Sequence, residues 1–370
     1  MGIFGFFLAG QPGILPETRG FTGETQDKYG IWPATAETFP TAETTFWLSP
    51  KLLEAYYDLC GATNLGTKTT SLVVLHRGRI LYEYYTEPAL VTAKNGDMGL
   101  LLNFNGVEKD ILRPLRSGSK SFVSAVVGIA IGEGYIGSVS DRVIDYFPGA
   151  AIPAGQESKR DMTIEHLLNM TSGLPGDFDP ISFIDEDAFE QLHETDVPLM
   201  LFTQIPQKYN PGQAYNYSTL AVDILAGAVS RAVGMPFLEY ADEKLFKPLG
   251  ITEYFWDTYS DGSAKAGAEL SLSTHGMLRF GYLYLNNGRW GDQQVIPAGW
   301  VAQTPPQGIS PRAYNRLFWQ TPFLPGYGAG GAYGQCIDII PALDLVIVRT
   351  GMPGPFDEAV MKVGGWLGVL

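Results

Sequence analysis

Two segments of the same form sit near opposite ends of this 370-residue chain, and they restrict its architecture more than any other feature. In "TTSLVVLHRGRILYEYY" (Thr69–Tyr85) two runs rich in β-branched and aromatic residues flank a short Arg-Gly turn. In "GQCIDIIPALDLVIVRTG" (Gly334–Gly351) the same pattern returns, with Pro341 to Asp344 as the turn. A third strand is expected over "RLFWQTPF", Arg316–Phe323. Between the ends the apolar periodicity is helical, over Ser119–Glu133, Thr163–Met170, Thr219–Ala232, Phe237–Lys244 and His275–Gly288, and a further helical stretch lies near Leu48–Leu59. Strands gathered at the two ends do not suggest a parallel sheet of βαβ units. They predict an α+β protein, an α/β sandwich whose antiparallel sheet is drawn from both ends and whose middle forms a helical lobe. The expected division is 1–112 with 265–370 as the sheet-containing lobe and 113–264 as the mostly helical lobe, with the active site between them.

The chain is long enough for one large core, and its 45% hydrophobic and 17% charged residues are those of an ordered protein. A net charge of −14 and a pI near 4.7 argue against nucleic acid and against anionic membrane surfaces as partners. Cys60 and Cys336 match no metal spacing and read as free thiols. His76, His166, His193 and His275 are scattered, so no metal site is expected. The N-terminal "MGIFGFFLAGQPG" has no Lys or Arg ahead of its apolar stretch and no small-x-small site, which favours the cytoplasm.

The chemistry is concentrated at "RSGSKSFVSAVVGIAIG", Arg116–Gly132. Ser117 and Lys120 stand three apart, on one face of a helix start, so the hydroxyl and the amine can meet. The run that follows is apolar all round, as in a buried helix. Desolvation and the positive end of the helix dipole both favour an uncharged amine there. An uncharged amine beside a hydroxyl is a base beside a nucleophile, and the helix N-terminus offers N–H groups to a developing oxyanion.

Ser-x-x-Lys is also a mark of β-lactamases and penicillin-binding proteins. From Thr69 to Gly351 the sequence resembles the class C β-lactamase-like serine hydrolases, in particular the 6-aminohexanoate-dimer hydrolases and class VIII carboxylesterases. The resemblance implies the serine β-lactamase/DD-peptidase-like fold. "PGQAYNYSTLAVDILAGAVSRAVG" (Pro211–Gly234) is similar to the family's Pro-Gly, Tyr-x-Asn and helix. It implies that Tyr217 is the third catalytic residue, with Tyr215 a nearby rival, and it puts Thr219 where the family has Asn. The third motif, usually Lys-Thr-Gly, is matched by Ala329, Gly330 and Gly331. The missing lysine argues against recognition of a β-lactam carboxylate. By the same likeness the backbone N–H groups of Ser117 and Ala332 form the oxyanion hole.

The resemblance therefore implies hydrolysis of small esters or amides through an acyl-enzyme on Ser117, with no cofactor and no metal. A β-lactamase or D-Ala-D-Ala carboxypeptidase is the alternative within the family, and a non-catalytic binding protein on this fold is the alternative of another class. A Gly-x-Ser-x-Gly elbow and phosphate-binding loops are absent, which excludes the α/β-hydrolase and nucleotide-binding readings. The acidic, aromatic stretch from Asp177 is expected to rim the pocket and to favour neutral or amine-bearing acyl groups, with Phe178 and Trp256 as apolar walls. The sequence leaves the oligomeric state open, a homodimer included.

Overall fold

Arg77 and Gly78 both adopt positive φ, 51° and 72°, the backbone of a two-residue turn whose twist matches the strands it joins. This turn builds the first hairpin in the computed structural model, which describes residues 68–85, 111–179, 196–307, 313–321 and 325–352. In chain order the elements are β1 (Lys68–His76), β2 (Arg79–Tyr85), β3 (Arg113–Pro114), α1 (Ser119–Gly132), α2 (Ile164–Leu168), α3 (Val197–Gln204), α4 (Thr219–Val233) and α5 (Phe237–Ala241). There follow β4 (Tyr254–Trp256), β5 (Leu270–Leu272), α6 (Thr274–Leu285), β6 (Arg289–Trp290), β7 (Gln293–Gln294) and α7 (Ala298–Ala302). The chain then forms β8 (Tyr314–Asn315), β9 (Phe318–Gln320), β10 (Tyr327–Gly331), β11 (Gln335–Ile340) and β12 (Leu345–Met352).

Seven of these strands form one antiparallel sheet in the order β2-β1-β12-β11-β10-β9-β8. The predicted union of the two ends is the β1–β12 pairing, with Val73 opposite Val348. Period-2 alternation divides these strands between two cores. Val73, Leu75, Ile337, Ile339, Val346 and Val348 join the main core, and Leu72, Val74, Ile340, Leu345 and Ile347 form a second cluster. A sheet apolar on both faces reads as near-continuous β-branched runs, which is what "SLVVL" and "DLVIV" are. The strand expected to start at Arg316 begins instead at Phe318. Arg316 and Leu317 have positive φ, 46° and 63°, and make the β8–β9 turn.

α6 lies across β1, β11 and β12. α1 and α4 pack together as the centre of the helical part, and α1 is buried from Ser119 to Ala130, as its all-round apolarity requires. The expected helix near Leu48–Leu59, the N-terminal stretch, Cys60, His193 and the acidic stretch beyond Asp179 lie outside the described residues. Among the described residues no single helix is long and apolar enough to cross a membrane.

The end of α3 depends on a second buried lysine. Lys159 is fully buried, and its ammonium donates to the carbonyls of Phe202 (2.8 Å), Thr203 (3.0 Å) and Ile205 (2.5 Å). Helix C-termini leave such carbonyls without partners. Burial pulls this ammonium down to about 8, so at neutral pH it keeps three N–H groups for three acceptors. Lys159→Met is expected to lower stability by roughly 3 kcal/mol, because the carbonyls stay buried while their donor is lost. Urea unfolding at pH 7 measures this, and an unchanged midpoint would contradict it.

Candidate active site

The chain reaches the site through a strained turn. Arg116, a non-glycine residue, sits at φ 52°, and the one-turn 3₁₀ segment Arg116–Gly118 leads directly into α1. Ser119 fastens this turn: its hydroxyl donates to Arg116 O (2.6 Å) and accepts from Leu270 N–H (3.1 Å). Ser117 is thereby half-exposed on the outer side, and Lys120 is carried one turn inward with 0% exposure.

Lys120 Nζ has three partners. Nζ lies 3.3 Å from Ser117 Oγ, and it donates to Thr219 Oγ1 at 2.9 Å and to Gly267 O at 2.6 Å. None is a carboxylate, and among the described residues no ion pair involves this amine. Gly267 reaches it because a Cβ there would lie 2.5 Å from Thr219 Cγ2; only glycine lets the two segments close on Lys120. The ring of Tyr217 lies against the same amine, 4.9 Å from Nζ to its centroid, and stacks on Trp319 at 5.6 Å and 26°. Tyr215 is 51% exposed, and its ring packs edge-on to Tyr314. Of the two tyrosines that the sequence offered, Tyr217 is the one in contact with the lysine.

The third predicted segment also arrives. β10 ends at Gly331, where a Cβ would lie 2.1 Å from Leu115 O, so this strand end presses against the turn that carries Ser117. Ala332 follows immediately, and Arg349, buried on β12, donates to the next two carbonyls, Tyr333 O (3.3 Å) and Gly334 O (2.8 Å). Ala329 presents a methyl group here, with its Cβ 3.9 Å from where a Cβ on Gly118 would stand.

The rim differs from expectation at Trp256. Trp256, expected as a pocket wall, is a core residue at 5% exposure. Its ring meets Phe237 edge-on at 5.5 Å, and its Nε1–H donates to Lys265 O at 3.1 Å. Phe178, by contrast, is 76% exposed. The two carboxylates at the start of the acidic stretch are both engaged within the protein. Asp179 accepts from Asn216 Nδ2 (2.9 Å), Lys208 Nζ (2.5 Å) and Gly176 N–H (2.8 Å), and these bonds hold its carboxyl down to about 2. Asp177 accepts from Thr219 N–H (2.6 Å) and Thr219 Oγ1–H (2.7 Å). Sequence reasoning treated Thr219 only as a departure from Asn and gave Gly267 no place. The hydroxyl of Thr219, in register with a motif asparagine, was the one available signal.

The Beta-lactamase family model matches residues 62–360. The chain belongs to the beta-lactamase family of serine hydrolases. Penicillin-binding protein 4* of Bacillus subtilis (strain 168) is 27% identical over 173 residues, 44% of this chain and 36% of that protein's length. The chain thus aligns with about a third of that relative. A solved structure described as a putative 6-aminohexanoate-dimer hydrolase from Bacillus anthracis superposes with a TM-score of 0.65 at 20% identity, covering 92% of this chain and 89% of that one. A family VIII carboxylesterase superposes with a TM-score of 0.58 at 17% identity, covering 86% of this chain and 98% of that one. These likenesses establish a shared β-lactamase-like fold, the antiparallel sheet with helices already described.

Proposed function

We propose that this beta-lactamase-family protein hydrolyses small carboxylic esters or linear amides through an acyl-enzyme on Ser117. The observation that carries the reading is the 3.3 Å contact between Ser117 Oγ and an amine that is wholly buried and bonded only to neutral oxygens. Its partners are two hydroxyls and a carbonyl, so no carboxylate competes with Ser117 for this amine.

The steps follow from the groups in reach. Ser117 Oγ attacks the substrate carbonyl carbon as its proton passes to Lys120 Nζ. The carbonyl oxygen becomes an oxyanion, for which the N–H groups of Ser117 and Ala332 are the donors. Collapse breaks the bond to the leaving group, which takes the proton by way of Lys120 and the Tyr217 phenol. Water then adds to the acyl carbon and gives a proton to the same pair. The acyl–Oγ bond breaks, and the carboxylic acid leaves while Ser117 recovers its hydroxyl proton. No metal or cofactor enters these steps.

The preference for esters or linear amides over β-lactams rests on Ala329, since a methyl group offers no charge to a lactam carboxylate. Phe178 supports an apolar acyl or leaving group at the rim. The test is parallel turnover of p-nitrophenyl acetate, nitrocefin and a 6-aminohexanoate linear dimer. Turnover of the ester or dimer at least tenfold faster than nitrocefin is expected. The reverse order would favour a β-lactamase, and silence with all three would favour a binding protein.

The oxyanion assignment makes its own prediction. Gly331→Ala pushes a methyl group into Leu115 O and moves Ala332 away from Ser117. The expected result is a fall in kcat of about 100-fold, the loss typical of one missing oxyanion donor, with KM changed far less. A parent-like kcat in a folded Gly331→Ala protein would remove Ala332 from the mechanism.

A further inference from the structure

We propose that Asp177 is a positioning residue that aims the lone pair of Lys120 at Ser117, acting through Thr219. The inference rests on the reading of Ser117 and Lys120 given above and concerns what orients that pair.

Thr219 has one hydroxyl proton, and it is given to Asp177 Oδ2 at 2.7 Å. The other oxygen of that carboxylate accepts the Thr219 N–H at 2.6 Å, which fixes the carboxylate against the first turn of α4. A carboxylate can only accept, so Thr219 Oγ1 presents lone pairs, and no proton, to Lys120 Nζ. Gly267 O, the third partner, is a carbonyl and can also only accept. An uncharged amine has two N–H bonds and one lone pair. With two of its three directions filled by obligate acceptors, the N–H bonds point at Thr219 and Gly267, and the lone pair faces Ser117 Oγ. A base must meet the proton it removes in this geometry. The Asp177 carboxylate bonds Thr219 and neither Ser117 nor Lys120; it sets the polarity of the group that does the orienting.

Asp177→Asn changes this polarity with little change of shape. The amide oxygen can still accept the Thr219 N–H, but the amide N–H₂ then faces Thr219 Oγ1 and donates to it. The Thr219 hydroxyl proton is released to bond the amine lone pair, in competition with Ser117. For p-nitrophenyl acetate hydrolysis the expected fall in kcat is about 10- to 100-fold, part of the range that general-base catalysis supplies, with KM little changed. A lesion confined to packing would not depend on the Thr219 hydroxyl, so it would add in full to that of Thr219→Val.

Thr219→Val supplies a second route that keeps the backbone bond to Asp177. It should lower kcat by a similar factor, Thr219→Ser should be at least about 10-fold faster than Thr219→Val, and adding Asp177→Asn to Thr219→Val should cost little more, as for residues acting as one unit. A folded Asp177→Asn protein with parental kcat would overturn the inference. So would a fully active Thr219→Val protein, or two losses that multiply independently. Labelling of the parent by a fluorophosphonate separates this from the parent reading. If Ser117 is labelled and Asp177→Asn is silent, only the role of Asp177 fails; if Ser117 is not labelled, the reading of the site itself fails.

Discussion

Ser117→Ala is expected to lower hydrolysis of p-nitrophenyl acetate by at least about 10³-fold, because the step that forms the acyl-enzyme has no other nucleophile in position. The neighbouring hydroxyls do not take over. Ser119 Oγ is buried and bonded to Arg116 O and Leu270 N–H, and Ser121 Oγ donates to Leu317 O at 2.7 Å. The change removes one partly exposed oxygen and no packing atom, so the unfolding temperature should stay within a degree or two of the parent. A Ser117→Ala protein that turns over ester at the parental rate would show that chemistry occurs elsewhere.

The second large effect is expected at Lys120. Lys120→Met keeps a long apolar stem inside α1 while removing the amine, so Ser117 keeps its position but loses its base. A loss in kcat of about 10³-fold is expected, within the range for general acid–base groups. Lys120→Arg should be no better than Met. A guanidinium stays protonated, so it can bond Ser117 Oγ without removing its proton. Kinetics of both variants, with circular dichroism to establish folding, decide the point. A folded Lys120→Arg protein within tenfold of the parent would indicate that the residue supplies charge and is not a base.

What the sequence made legible was local. Two hairpins, a Ser-x-x-Lys at the head of an apolar helix and a Tyr two residues before α4 each lie within a few residues, where periodicity and turn chemistry act. The sheet and the meeting of Ser117, Lys120 and Tyr217 follow from those pieces. What stayed hidden depends on long-range closure. Gly267 lies 147 residues from Lys120, and nothing around it shows that its carbonyl is an acceptor for the amine. Asp177 and Thr219 are 42 residues apart, and an Asp in an acidic stretch carries no sign that its bond is directed at a helix start. Trp256 was misplaced for a related reason. An aromatic in a short strand can face either way, and here Phe237 and Phe246 decide that it packs inward.

The central claim is that Lys120 activates Ser117, and the most direct measurement is the rate and site of covalent labelling by a fluorophosphonate, read by peptide fragmentation in the mass spectrometer. The account predicts one adduct in the parent, on Ser117 and not Ser119, formed at least about 100-fold more slowly in Lys120→Met. An adduct on another serine, or equal labelling rates in the two proteins, would contradict it.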